Sequence, residues 1–335
     1  MNPYPILNTA MPTIAITDYT FPDLSLEEAI LRPAGVEIVS LKEKRPPAEI
    51  ADLVRNADAV IAQFAPVNAE VVNAMTKAKA IVRYGIGYDN VDGAAARERG
   101  IPLCNIPDYC IDEVADHTLA FILAITRQVV PNALDIRAGK WGLATPLTAM
   151  SSLKHLTIGI IGFGRIGREV VKRLLAFKAR VLVFDPVVAA DEIAKAGAVA
   201  ASSFDELLAQ SDIVSPHCPS NAKTKQMFNA VAFAKMKAGS VFINVGRGDL
   251  TDSTAVTAAL QSGHLAGAAL DVFDPEPIPA DHPIRTMPNV ILAAHIASAS
   301  PPAVKTLRET AARIALMAVR GEPLPNVVNG VSAAK

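Results

Sequence analysis

Thr157-Ile158-Gly159-Ile160-Ile161-Gly162-Phe163-Gly164-Arg165-Ile166-Gly167 is the stretch whose reading decides the fold. A β-branched run leads into glycines spaced G-x-G-x-x-G, and a helical run, 168–177, leads out. A second strand-like run, 180–184, ends on Asp185. Strand, glycine turn, helix, strand and acid in that order describe a βαβ unit that holds a dinucleotide. Gly162 permits the tight turn, Gly164 lets backbone approach a pyrophosphate, and Gly167 lets helix and strand pack closely. Arg165 and Ile166 open the helix, whose unpaired N–H groups and partial positive charge face the phosphates. Asp185 lies 21 residues past Gly164 (185 − 164), where a carboxylate reaches the adenosine ribose hydroxyls. No Arg or Lys follows in Asp185-Pro186-Val187-Val188 to offset its charge, so the spacing predicts NAD rather than NADP.

Around this unit, short β-branched runs alternate with helical patterns. Runs 13–17, 36–41, 58–64, 79–84 and 101–105 read as strands, with helices over 25–34, 47–56, 69–78 and 92–100. Ser25 with Glu28 reads as a capping box, and Gly35 and Gly100 stand where helix C-termini should be. A long apolar helix is expected over 111–130, stopped by Pro131 and buried at a junction or against another subunit. Strands resume at 156–161, 180–184, 212–217, 240–244, 266–272 and 289–294, and a last helix covers 302–320. The fold class is therefore α/β, with two doubly wound parallel-sheet units joined within 105–150.

Hydrophobic residues make up 51% of the 335 and charged residues 19%, with a net charge of -1, so a disordered chain is excluded. Lys and Arg collect nowhere, which leaves a nucleic-acid or membrane surface without electrostatic support. The N-terminus carries no secretory pattern; residues 1–10 read as a disordered extension and the compartment as the cytoplasm. Cys104, Cys110 and Cys218 lack metal or C-x-x-C spacing and read as small buried hydrophobes, although Cys218 follows a potential base, His217. No cluster with metal-ligand spacing occurs.

Three segments at later strand ends carry chemistry. Asn244-Val245-Gly246-Arg247-Gly248-Asp249 delivers a guanidinium between two glycines, a fork suited to a carboxylate or keto acid. Asp271-Val272-Phe273-Asp274-Pro275-Glu276-Pro277 sets acids in a proline-stiffened loop, and Ala293-Ala294-His295-Ile296-Ala297 surrounds one histidine with small apolar residues. A positive group, an acid and a histidine are what reduction of a carbonyl by hydride needs besides its cofactor.

These segments, with the glycine turn before them, resemble the D-2-hydroxyacid dehydrogenase family, and the resemblance runs over nearly the whole chain. Arg83-Tyr84-Gly85-Ile86-Gly87-Tyr88-Asp89-Asn90-Val91-Asp92 resembles the family's substrate loop. Cys104-Asn105-Ile106-Pro107 and Glu113-Val114-Ala115-Asp116-His117 resemble its interdomain crossing, closest to phosphoglycerate dehydrogenases and the C-terminal-binding-protein corepressors. The resemblance implies a Rossmann NAD-binding domain, 108–299, inserted into a flavodoxin-like substrate domain, 1–107 with 300–335. It implies that Arg247 binds the carboxylate and polarises the keto oxygen of a small 2-keto acid. His295 would be the acid/base, and Glu276 would fix the tautomer of His295 and raise its pKa.

By the same resemblance Gly85, Ile86 and Gly87 would hold the carboxylate, with Tyr84 either in the pocket or merely packed. His217 and Pro219 would line the cofactor site, with Pro186 beside Asp185. Asp271 reads as a cofactor contact or a residue supporting the strand end, and His117 as a local partner of Asp116 or a ligand contact. Formate oxidation is disfavoured, because that branch has Gln where Glu276 stands. The family's habit of pairing through the helix after the crossing implies a homodimer. A second reading survives, an NAD-sensing interaction protein like the corepressors, since those can keep the same residues.

Overall fold

The computed structural model of the chain describes residues 11–331; the expected extension at 1–10 lies outside them. The described chain divides into two compact units, one running to Tyr109 and resuming at Ser300, the other Cys110–Ala299.

The first unit is a five-stranded parallel sheet of β1 (Thr13–Ile16), β2 (Glu37–Ser40), β3 (Ala59–Ala62), β4 (Ile81–Arg83) and β5 (Leu103–Cys104). Its order, β2-β1-β3-β4-β5, is the flavodoxin-like one. Helices α1 (Ser25–Leu31), α2 (Pro47–Val54), α3 (Ala69–Ala74) and α4 (Gly93–Glu98) connect the strands. The two-residue period of β3 decides its burial on both faces. Ala59 and Ile61 join a core with α1 and the C-terminal helix Pro301–Arg320, while Val60 and Ala62 join the core under α2 and α3. The expected capping box at Ser25 does not form. Ser25 is already the first helical residue, and Asp23 Oδ1 accepts from its N–H (2.9 Å) and hydroxyl (2.6 Å).

A buried ion pair fastens the C-terminal helix to α1. Arg308, 5% exposed, donates to both carboxylate oxygens of Glu27, which is wholly buried, and Tyr84 Oη donates to Glu27 Oε1 at 2.9 Å. Tyr84 is thus a core residue, 1% exposed, and the pocket role expected of its ring is corrected to packing and support of Glu27. Burial, then the Glu27 charge, push its phenol well above the ordinary range.

The second unit is a seven-stranded parallel sheet in the order β12-β11-β10-β9-β6-β7-β8. Its strands are β6 (Thr157–Ile161), β7 (Arg180–Phe184), β8 (Val199–Ala200), β9 (Ile213–Pro216), β10 (Ser240–Asn244), β11 (Leu265–Leu270) and β12 (Val290–Leu292). Order reverses between β6 and β9, the switch point where ligands bind in such sheets. Helices α5 (Ile111–Thr126), α6 (Val129–Arg137), α7 (Arg165–Ala176), α8 (Ala190–Lys195), α9 (Phe204–Gln210), α10 (Ala230–Lys235) and α11 (Ser253–Gln261) precede α12, the C-terminal helix.

The single helix expected over 111–130 is two. Continuing it through Pro131 would remove an N–H and press the proline ring on the carbonyl of Arg127. The chain instead breaks at Gln128 (φ 52°) and restarts, with Pro131 in the first turn of α6. Half of α5 is buried inside its own unit, so the exposed apolar surface begins later, at Val129, Leu134, Ile136, Leu143, Leu147 and Trp141, the last 94% exposed. No single helix among the described residues is long and apolar enough to cross a membrane; α5 and α6 reach that only as a pair bent by 64°.

Candidate active site

The glycine turn follows β6 at the switch point. Gly162 has φ 94°, and a side chain there would meet the His217 carbonyl at 2.8 Å. A side chain on Gly167 would collide with the Gly162 carbonyl, so these two glycines serve the protein's own packing. Gly164 differs. Its φ of -75° suits any residue, and a Cβ there would meet nothing within 4 Å. It caps a twelve-residue helix without a side-chain hydrogen bond, and Arg165 beside it is exposed. A glycine that the chain itself does not require, at the open end of a helix dipole, fits the close approach of a pyrophosphate. Gly164→Ala is accordingly expected to melt like the parent chain while its NADH affinity falls at least tenfold, about 1.4 kcal/mol. Unchanged affinity by fluorescence titration would contradict this.

Asp185 stands at the end of β7 with its Oδ2 accepting from Phe163 N–H (2.7 Å) and its Oδ1 from Val187 (2.8 Å) and Val188 (3.1 Å). Burial pushes this carboxyl up, but those three donors and the charge of Arg168 hold it below the usual range. The acid therefore does two jobs, bracing the glycine turn and keeping a negative charge beside it. Pro186 is exposed next to it. Arg168, not foreseen from sequence, is drawn to Glu192 (2.7 Å) and lies over the Phe163 ring.

His217 closes β9, its N–H donating to Ile161 O at 2.7 Å and its Nε2 meeting Ser215 Oγ at 3.0 Å. Burial pushes its pKa down to about 4, which makes it a neutral wall residue rather than a proton carrier. Cys218 beside it is no nucleophile, because burial pushes the thiol up to about 11. Pro219 is exposed at the same strand end.

Arg247 follows β10 in a loop wrapped by one side chain. Asn244 Nδ2 donates to Arg247 O (2.8 Å), and its Oδ1 accepts from Gly246 N–H (3.0 Å). The structure gives Gly248 its reason: a Cβ there would collide with the Phe273 backbone. Loop 246–248 thus lies against the segment that carries Glu276. Glu276 Oε1 accepts from Phe273 N–H (2.9 Å), and its Oε2 lies 2.9 Å from His295 Nδ1. Burial works to raise this carboxyl, but the hydrogen bond and charge of His295, the Phe273 N–H and Arg247 hold it low. An ionised carboxylate only accepts, so Nδ1 carries the proton toward Glu276.

His295 itself sits at φ 54°, a conformation a non-glycine residue adopts only when its surroundings impose it. Asp271 imposes it. Its carbonyl accepts from His295 N–H (2.7 Å), and its carboxylate oxygens accept from Ile296 (2.8 Å) and Ala297 (2.9 Å). Asp271 is wholly buried, and both its carboxylate oxygens serve to position the histidine loop. Its place at a strand end was the only sequence signal for that role.

Asp116 does not pair with His117. It and Asp112 bind Arg173 of α7 at 2.7 and 2.6 Å, joining helices whose residues lie far apart in sequence. In the first unit, Gly85 has φ 147°, and its own N–H and carbonyl are bonded to Arg83 O and Ile106 N–H. Asn105 Nδ2 donates to Ile86 O (2.7 Å), which ties down the loop that holds Ile86 and Gly87. Among the described residues no group of three or more His, Cys, Asp or Glu could hold a metal ion.

Comparison with known proteins finds relatives over most of the chain. The family described as D-isomer specific 2-hydroxyacid dehydrogenase, NAD binding domain, matches residues 119–297. A glyoxylate reductase of Korarchaeum cryptofilum is 36% identical over 293 residues, covering 86% of this chain and 88% of that protein. A D-lactate dehydrogenase of Aquifex aeolicus, solved with NAD and lactic acid, superposes with a TM-score of 0.82 at 28% identity, over 92% of this chain and 96% of its own. An NADPH-dependent glyoxylate/hydroxypyruvate reductase of Sinorhizobium meliloti, solved with NADP and malonate, gives 0.86 at 27% identity, over 96% and 98%.

Proposed function

This chain belongs to the D-isomer specific 2-hydroxyacid dehydrogenase family, and on that premise we propose that it reduces a small 2-keto acid to the D-2-hydroxy acid with His295 as proton donor. The 2.9 Å link from Glu276 to His295 Nδ1 carries the reading, because it leaves Nε2 as the proton-delivering atom. NAD, when bound, supplies or accepts the hydride. Arg247 binds the substrate carboxylate through its fork and polarises the keto oxygen. Glu276 orients the ring through its Nδ1 hydrogen bond, and Asp271 holds the residue's backbone in place. Gly162, Gly164 and Gly167 form the pyrophosphate turn, where Arg165 and Ile166 begin the helix; His217, Pro186 and Pro219 border the cofactor.

NADH and NADPH oxidation against glyoxylate, hydroxypyruvate, pyruvate and bulkier 2-keto acids tests the proposal. Turnover of at least one acid, faster with NADH, is expected, because a 2′-phosphate would meet the Asp185 anion. No turnover of any acid would overturn the activity, and faster NADPH oxidation the role of Asp185. The corepressor-like reading is weaker, since the relatives described above are named as enzymes.

The exposed apolar surface of α6 and its following loop supports a homodimer, as burying such a patch is what association gains. Light scattering is expected to give twice the chain mass; a monomer at micromolar concentration would refute it. Three free cysteines fit a reducing compartment, the cytoplasm.

A further inference from the structure

The segment that carries Glu276 has few anchors of its own, because Pro275, Pro277 and Pro279 have no N–H to donate. Its near arm is held where Glu276 accepts from Phe273 N–H and the Phe273 backbone lies against Gly248. Under the loop lies a cavity of about 20 Å³, bordered by Asn244 and Gly248 from the Arg247 side and by Phe273, Asp274 and His282 from the Glu276 loop. Side-chain packing therefore does not fill the space between the two loops, and the far arm needs a fastening of another kind.

His282 supplies it. Its Nδ1 accepts from Ile284 N–H (3.3 Å) and so caps the short helical turn Pro283–Thr286. A ring nitrogen that accepts carries no proton, so the proton sits on Nε2, which donates to Ser253 Oγ at 2.8 Å. That tautomer rules the pair out as nucleophile and base, since a base would face the hydroxyl with its unprotonated nitrogen. Ser253 is the first residue of α11, whose Val256, Ala259 and Leu260 share a buried core with Ile284. The far arm is also closed on itself: His282 N–H donates to Pro279 O (3.2 Å), and Arg285 Nη1 to Ile278 O (3.3 Å). The fastening thus runs from α11 to Ile278, and only Pro277 separates Ile278 from Glu276. Proline has a fixed φ, so a shift of the arm passes to Glu276 rather than being absorbed.

We propose that His282, latched to Ser253, is a positioning residue for the reduction: it sets where Glu276 stands and so how Glu276 turns the His295 ring. This rests on the reading of Glu276 and His295 as the working pair of a 2-keto acid reductase. Turnover of the best 2-keto acid and NADH affinity by fluorescence titration are measured for the full chain and its His282→Ala, Ser253→Ala and Ser253→Thr variants. The same substitutions are then made together with Glu276→Ala. His282→Ala and Ser253→Ala are each expected to lower kcat about 10- to 100-fold, up to the cost of misplacing a group by about 1 Å, with NADH affinity within about twofold of the parent. Ser253→Thr, which keeps the hydroxyl, is expected to recover most of the loss. Beside Glu276→Ala, where no carboxylate is left to position, the latch substitutions are expected to cost less than about twofold more, as coupled residues do. Where His282→Ala does not fold, Ser253→Ala decides the outcome. A kcat for Ser253→Ala within about threefold of the parent, or a loss that is undiminished beside Glu276→Ala, would overturn the latch. A parent chain that turns over no 2-keto acid would overturn the reductase reading and the role of the latch in it.

Discussion

His295→Ala is expected to lower turnover by about 10²–10⁴-fold, the range for a positioned general acid, while NADH affinity stays near that of the parent. The separation follows from the structure. His295 touches Glu276 through Nδ1 and is held at its backbone by Asp271, whereas the glycine turn belongs to the β6–α7 junction. Removing the imidazole takes away the proton donor and leaves the clamp from Asp271 to Ile296 and Ala297 intact. Stopped-flow turnover with fluorescence titration of NADH checks both halves. Activity within threefold of the parent would sink the assignment. Glu276→Gln, run beside it, should lower turnover while NADH affinity holds, because an amide can turn an N–H rather than an acceptor toward Nδ1.

The second large effect is on stability. Arg308→Ala is expected to cost the first unit about 3–5 kcal/mol, the range for leaving one member of a buried ion pair without its partner. Glu27 would keep only Tyr84 Oη as a donor to Oε1, and the Phe21 ring would lose the guanidinium 4.8 Å from its centroid. Since whole domains are stable by about 5–15 kcal/mol, the first unit should approach its threshold. Urea unfolding should resolve an early transition for this unit and an unmoved one for the other. Replacing both partners by apolar residues, Glu27→Leu with Arg308→Met, should recover much of the loss. A cost below 1 kcal/mol in the single variant would show that the pair contributes little.

Elements with a strong local signature were readable from the sequence. Strands β7 and β10 match their expected bounds because β-branched runs there end at polar or glycine-rich turns. The segments that carry Arg247, Glu276 and His295 were readable from the sequence, since each follows a strand run, and the structure brings Glu276 to 2.9 Å from His295. What escaped depends on partners distant in the chain. Arg173 with Asp112 and Asp116, Glu27 with Tyr84 and Arg308, and Asp271 with 296–297 are pairings no local window contains. Tyr84 stood inside a motif-like loop yet faces the core. The break at Gln128 was mislocated because a proline acts on the carbonyl four residues before it, not at its own position.

The first unit also has an order of assembly written into it. Its core is completed by Leu307, Ala311, Ala312, Ile314, Ala315 and Ala318 of the C-terminal helix, and Arg308 reaches Glu27 across 281 residues. A ribosome releases those side chains only after the whole inserted unit. The inserted unit, continuous from Cys110 to Ala299, has every strand of its sheet in hand before the first unit can close. During synthesis the α1 face, with its buried acid, therefore waits uncovered, and truncation before residue 301 should yield a chain with one finished domain and one aggregation-prone half-domain.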